Sequence, residues 1–145
     1  PSVSMMQGIR YDRFSLGVGV GYDAFDDWQT MPLFTGISFD FVRAPGHALY
    51  VQMDAGYSRA WLRRREEGQP EYRNAGGYFY HPALGFRAGK GKLQFHMRAG
   101  YKIQNIGYDA TAEWGWAWDR WYPPHHVTVT RHIERLSFQM GLSLR

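Results

Sequence analysis

Six stretches of the chain alternate strictly between apolar residues and small, polar or charged ones, and none of the positions on the apolar side carries a charge. From Phe14 to Tyr22, the residues Phe14, Leu16, Val18, Val20 and Tyr22 oppose Ser15, Gly17, Gly19 and Gly21. Side chains of a strand point alternately to its two faces, so this stretch predicts one oily face and one nearly bare face. The same pattern runs over Leu33–Phe41, Leu49–Tyr57, Tyr78–Arg87, Leu93–Gln104 and Leu136–Leu144. Val3–Tyr11 adds a weaker first strand, with Val3, Met5, Ile9 and Tyr11 on one side. Seven strands are therefore expected.

The connections predict how these strands are joined. A short turn at Asp12–Arg13, a turn over Arg43–His47 built on Ala44, Pro45 and Gly46, and a tight turn at Gly89–Lys92 alternate with longer loops. Those loops are expected over Asp23–Thr30, Arg63–Gly76 and Tyr108 to about His126. Sorting short turns to one end and long loops to the other is the habit of membrane barrels. Gly-Tyr pairs recur where strands climb toward the long loops: Gly21-Tyr22, Gly56-Tyr57 and Gly100-Tyr101. Tyrosine suits a hydrocarbon–headgroup boundary, so Tyr22, Tyr57, Trp61 and Tyr101 are candidates for a lipid-interface girdle. Phe39, Phe41, Phe86 and Phe95 fall toward the opposite boundary.

A barrel with its apolar face turned inward around a ligand is the rival fold. Its water-facing surface would be Ser15, Gly17, Gly19, Gly36, Gly56 and similar residues, too poor in charge to cover a soluble protein. Small residues suit the crowded interior of a narrow barrel instead. There Asp40 and Asp54 are expected to pair with Arg87, Arg98, Lys102 or Arg10, with Gln52, Gln94, Gln104 and Gln139 as bridges and His81 and His96 as further interior polar groups. The expected fold is all-β: a closed antiparallel up-and-down transmembrane β-barrel of about eight strands, plugged rather than open. Bacterial single-chain barrels have even strand numbers. An eighth strand is thus expected ahead of Pro1, within Tyr108–Val127, or from another chain.

Composition adds limits. At 145 residues the chain suits one domain, spanning residues 1–145 with a long aromatic-rich hairpin at about 105–132. No apolar run is long enough for a membrane helix. Cysteine is absent, which removes disulfides, thiol nucleophiles and thiolate metal sites. The net charge of +4 comes from scattered basic residues, so nucleic acid is not an expected partner. The chain opens on Pro1-Ser2 without the pattern of a signal peptide, so an exported protein would be present here in mature or trimmed form.

The runs FSLGVGVGYDAF, MPLF, LYVQMDAGYS, GGYFYHPALGFRAGKGKLQFHMRAGYKIQ and RLSFQMGLSLR resemble the small outer-membrane β-barrel (porin-like) domain family, with its OmpX and OmpA types, in a version similar to those of the Bacteroidota. The resemblance covers Tyr11–Arg145 apart from Tyr108–His132. It implies an integral protein of the bacterial outer membrane, in contact with its lipid and lipopolysaccharide. The chain departs from the family in lacking a terminal aromatic residue after Leu144.

Candidate chemistry is sparse. His125 and His126 are adjacent and point to opposite faces, so a shared metal with His132 is not expected. Thr130, His132 and Glu134 share a face, but residues two apart on a strand are about 7 Å from each other, too far for a proton relay. The His-x-Ser-Asn run of barrel deacylases is absent. No catalytic, cofactor or metal residues are assigned. Trp114, Trp116 and Trp118 alternate onto one side, followed by Trp121 and Tyr122. Such a row reads either as a contact surface for other outer-membrane proteins or as aromatics packed on neighbouring loops and headgroups. Arg63–Arg65 form a cluster suited to lipopolysaccharide phosphates or to a solvated loop. The expectation is a non-enzymatic barrel acting through its loops in binding or envelope stabilisation. The alternatives are an accessory subunit of a larger outer-membrane complex, a lipid-modifying enzyme or a small channel.

Overall fold

The computed structural model describes residues 1–24, 28–62, 72–89, 92–112, 115–117, 120–122 and 125–144, with backbone alone at 28, 62, 72–74 and from 108 to 128. The strands are β1 (Ser2–Tyr11), β2 (Phe14–Ala24), β3 (Trp28–Ala44), β4 (His47–Leu62), β5 (Tyr72–Ala88), β6 (Leu93–Ala112), β7 (Gly115–Ala117), β8 (Arg120–Tyr122) and β9 (His125–Leu144). Seven of them form one sheet in the order β1-β2-β3-β4-β5-β6-β9, each antiparallel to its neighbours, while β7 and β8 make a separate two-stranded ribbon. This is the expected all-β up-and-down arrangement. All seven strands expected from the alternation are present, most of them longer at the loop end.

Three differences matter. Both ends of the loop expected over Asp23–Thr30 are strand instead, because β2 runs to Ala24, β3 starts at Trp28, and the two stay paired up to Ala24 and Gln29. The segment expected as one long excursion after Tyr108 is instead the top of a hairpin: β6 and β9 keep register from Leu93↔Leu144 to Ala112↔His125. Its described residues therefore add no eighth strand to the sheet. Finally, the sheet is not closed, since β1 and β9 are its two edges. β1 and β9 both run from the long-loop end to the short-turn end, so the antiparallel pairing used throughout the rest of the sheet cannot join them.

The turns follow local chemistry. Pro45 and Gly46 link β3 to β4, with Gly46 at φ 85°, as a type II turn asks of the glycine that follows a proline. Asp12, at φ 49°, joins β1 to β2 and accepts a hydrogen bond from Arg43 Nη1 at 3.0 Å.

Burial is inverted relative to a water-soluble domain. Buried side chains are mainly polar, including Asp40, Asp54, Thr30, Ser58 and Gln104, whereas Leu16, Val18, Leu33, Ile37, Leu84 and Phe138 are exposed. The sheet is curled around the polar face. Asp23 on β2 bonds Lys102 on β6 and Arg135 on β9, although neighbouring strands lie about 4.8 Å apart and a flat sheet would hold these residues well out of reach.

Candidate functional site

The concave side carries ion pairs arranged in layers. Near the short-turn end, Asp40 is fully buried and accepts from Arg87 Nη2 at 2.6 and 2.8 Å, from Arg10 on β1, and from Arg43 at the rim at 3.4 Å. Beside it the Arg87 guanidinium lies 5.5 Å from the Tyr50 ring centre, and Tyr50 meets His96 edge-on at 6.1 Å. His96 Nε2 sits 2.6 Å from Ser143 Oγ. In the middle layer Asp54 accepts from Arg98 Nη1 at 2.9 Å and Gln52 Nε2 at 2.7 Å, with His81 Nδ1 at 3.5 Å. Arg98 also donates to Gln139. Toward the loop end Lys102 bonds Asp23 and lies 4.6 Å above the Phe79 ring.

The expected interior residues Asp40, Asp54, Arg87, His96, Arg98 and Lys102 thus face one space. Lys102, however, takes neither Asp40 nor Asp54. Its partner is Asp23, which was expected in a loop; Asp23 continues the inward alternation of Ser15, Gly17, Gly19 and Gly21, and that continuation was the available signal. Arg135 is likewise the inward neighbour of Leu136. Gln52 donates to Asp54 and Gln139 accepts from Arg98, so each touches one member of the charged network. Gln104 does not: it pairs in register with Phe79 and Ile133, and both its amide atoms are buried without a partner. The oxygens of Thr30 and Ser58 are also buried and unpartnered.

Glycines make the room these side chains use. Gly8, Gly17 and Gly36 lie in one register row with Asp54 and His81. A Cβ on Gly36 would come 2.5 Å from Asp54 Oδ1, and one on Gly85 would land in the Tyr50 ring. Small residues on β1–β3 thus face the long charged chains of β4–β6.

Further aromatic residues lie on the convex side. Tyr22, Tyr57, Trp61 and Tyr101 are all exposed toward the long-loop end. Tyr22 and Trp61 stand 6.5 Å apart, Tyr57 meets Tyr78 edge-on at 5.4 Å, and Trp61 Nε1 donates to Gln29 Oε1 at 2.8 Å. Tyr101 donates its hydroxyl hydrogen to Glu134. Phe14 and Phe39 form a tilted pair at 4.9 Å toward the other end. Arg59, opposite Met31, and Glu134, opposite Ile103, are outward charges that bound an uncharged belt from above. Within that belt the runs Phe14–Tyr22, Leu49–Tyr57, Tyr78–Phe86 and Leu136–Leu144 are nine residues each, and Met31–Phe41 and Leu93–Ile103 are eleven.

Of the aromatic row, Trp116 on β7 lies opposite Trp121 on β8 in register, next to the Gly115↔Tyr122 pair. Trp114, Trp118 and Arg63–Arg65 lie outside the described residues. Thr130, His132 and Glu134 fall on the outward side of β9. Among the described residues no group of three or more metal-ligating side chains converges. No family model, no curated protein and no solved structure matches the chain.

Proposed function

We propose that this chain is an integral β-barrel protein of the bacterial outer membrane. It is non-enzymatic, its lumen is plugged by ion pairs, and it acts through the long-loop end in binding or envelope stabilisation. One observation carries the reading: an outward belt of nine to eleven residues per strand that holds no charge, backed by an interior of paired Asp, Arg, Lys and His. Such a belt matches what a tilted strand needs to cross the hydrocarbon layer. Water would solvate it poorly, since contiguous apolar patches on soluble monomers seldom exceed a few hundred Å². The aromatic side chains at both ends of the belt suit the two boundaries. The layered ion pairs support a plug rather than a conducting pore, and the resemblance to small OmpX- and OmpA-type barrels agrees with the proposal.

The test is folding into phosphatidylcholine vesicles with brominated acyl chains. Exposed belt residues lie near the bromines, so Trp61 and the tyrosines at the boundary are expected to be quenched and a heat-modifiable band to appear on electrophoresis. A chain that remains monomeric and folded in buffer without amphiphile would overturn the reading.

A second reading is favoured by the hairpin that extends past the belt and bears Trp116 opposite Trp121 at its tip. In it the chain is an accessory subunit, and the hairpin docks on a larger outer-membrane protein. Purification in mild detergent separates the two: a lone monomer supports the first, and stable co-purifying chains support the second.

A further inference from the structure

We propose that the open seam between β1 and β9 is a docking groove for one further strand, antiparallel to both edges, with apolar side chains outward and carboxylates inward. This rests on the membrane reading, because an unpaired sheet edge facing hydrocarbon leaves backbone groups unsatisfied at several kcal/mol each. The described residues do not supply the strand, as every long alternating stretch among them is already placed in the sheet.

Direction comes first. Both edges descend toward the short-turn end, so only a strand that ascends pairs antiparallel with each.

Space comes second. A cavity of about 1220 Å³ is lined by Arg98 and Lys102 inside and by Ile9 and Phe138 on the outer side of the edges, so it opens through the seam. Inward glycines elsewhere are crowded: a Cβ on Gly36 or Gly100 would meet an atom at 2.5 or 2.6 Å. Gly141, inward on β9, would meet nothing within 4 Å. Outward aromatics report the same gap. Tyr11 and Phe138 on the edges are 84% and 80% exposed, against 39% for Phe86 and Phe95 inside the sheet.

Charge gives the occupant its chemistry. Among the described residues, Arg10, Arg43, Arg87, Arg98, Lys102 and Arg135 pair with the four carboxylates Asp12, Asp23, Asp40 and Asp54. The side chains of Arg10 and Arg135 on the edge strands are 24% and 27% exposed, against 9% for Arg87, 15% for Arg98 and 7% for Lys102 deeper in the sheet, while Arg43 at the short-turn rim is 40% exposed. Inward carboxylates on an added strand would lie beside these two arginines and add to the partners they already have.

Other occupants fit less well. Two copies joined edge to edge would make a ring of twice the circumference and pull Asp23 away from Lys102 and Arg135. Direct parallel pairing of β1 with β9 would close the ring but add no carboxylate.

The experiment uses residues 1–145 folded in phosphatidylcholine vesicles and two synthetic strands of about eleven residues. Both alternate Leu and Val outward with Ser inward; one carries two inward Asp residues and the other two inward Lys residues. The acidic strand is expected to bind one to one, about tenfold or more tighter than the basic one, and to slow hydrogen exchange at seam-facing amides of both β1 and β9. Protection of a single edge would overturn the proposal. So would equal binding of the two strands. Protection already present without peptide would also do so, in a monomer pointing to parallel closure and in a dimer to a second copy. Flotation with the vesicles is read separately. A chain that does not float removes the membrane reading, and exchange measured on the same chain in buffer then decides the seam, with β3–β4 amides reporting that the sheet is folded.

Discussion

Asp23 and Lys102 sit four strands apart in the sheet yet share a hydrogen bond, with Arg135 reaching the same carboxylate at 3.1 Å. The contact holds the curl of the sheet, because it ties β2 to β6 and β9 across the concave side. Removing one partner of such a buried pair leaves charge where water is scarce, at roughly 3–5 kcal/mol. Asp23→Leu and Lys102→Met are therefore each expected to lower the unfolding free energy read from urea titration by an amount in that range. The double variant Asp23→Leu with Lys102→Met should recover a substantial part, since it removes both charges of the pair. An additive double variant would show that the two side chains do not interact.

Gly85 and Gly141 offer a matched pair of inward glycines in different surroundings. A Cβ at Gly85 collides with the Tyr50 ring, which is itself held between Arg87 and His96. Gly85→Ala is expected to cost about 1–3 kcal/mol through overpacking. Gly141→Ala meets open space and is expected to be neutral or stabilising by a few tenths of a kcal/mol, because alanine loses less backbone entropy in a strand than glycine. Equilibrium unfolding of both variants in the same vesicles checks the contrast.

Much of this arrangement was legible in the sequence for a simple reason. A period of two is a local signal, so Phe14–Tyr22 or Leu93–Gln104 reveals its two faces without any knowledge of the neighbours. Identifying the interior residues followed from the same parity. Their partners did not, because pairing depends on register and curl: nothing near Lys102 in sequence distinguishes Asp23 from Asp40 or Asp54. The strand ends were also missed. Residues such as Arg59 and Glu134 break the apolar side of the pattern, yet the backbone pairing continues beyond them, since ladder hydrogen bonds need no oily side chain. For the same reason the top of the β6–β9 hairpin reads as a loop by composition and as a ladder by structure.

Thr30 and Ser58 are buried on neighbouring strands with hydroxyl oxygens that find no protein partner. A buried hydroxyl that makes no hydrogen bond costs free energy, and replacing it with an apolar group of similar shape removes that cost. Thr30→Val and Ser58→Ala are each expected to leave stability unchanged or to raise it by up to about 1 kcal/mol. Gln52→Leu is the control. It removes the donor to Asp54 at 2.7 Å and is expected to destabilise by about 1.5–3 kcal/mol, as for a hydrogen bond to a charged group. Urea midpoints of the three variants measure the difference.

Ile37 and Met31 point outward from the same strand, six residues apart, and differ in what surrounds them. Ile37 is in register with Leu16 and Met53 inside the uncharged belt, while Met31 faces Arg59 at its upper edge. In hydrocarbon, an arginine at the midplane costs roughly 2–4 kcal/mol and one near the interface 0–1. Ile37→Arg is thus expected to destabilise the chain folded in phosphatidylcholine vesicles by the larger amount and Met31→Arg by the smaller. A protein whose belt meets water would tolerate both, as exposed substitutions usually shift stability by no more than about 0.5 kcal/mol. A depth-dependent penalty in vesicles supports lipid contact. Equal, small effects at the two positions would mean that something other than hydrocarbon wets the outward face.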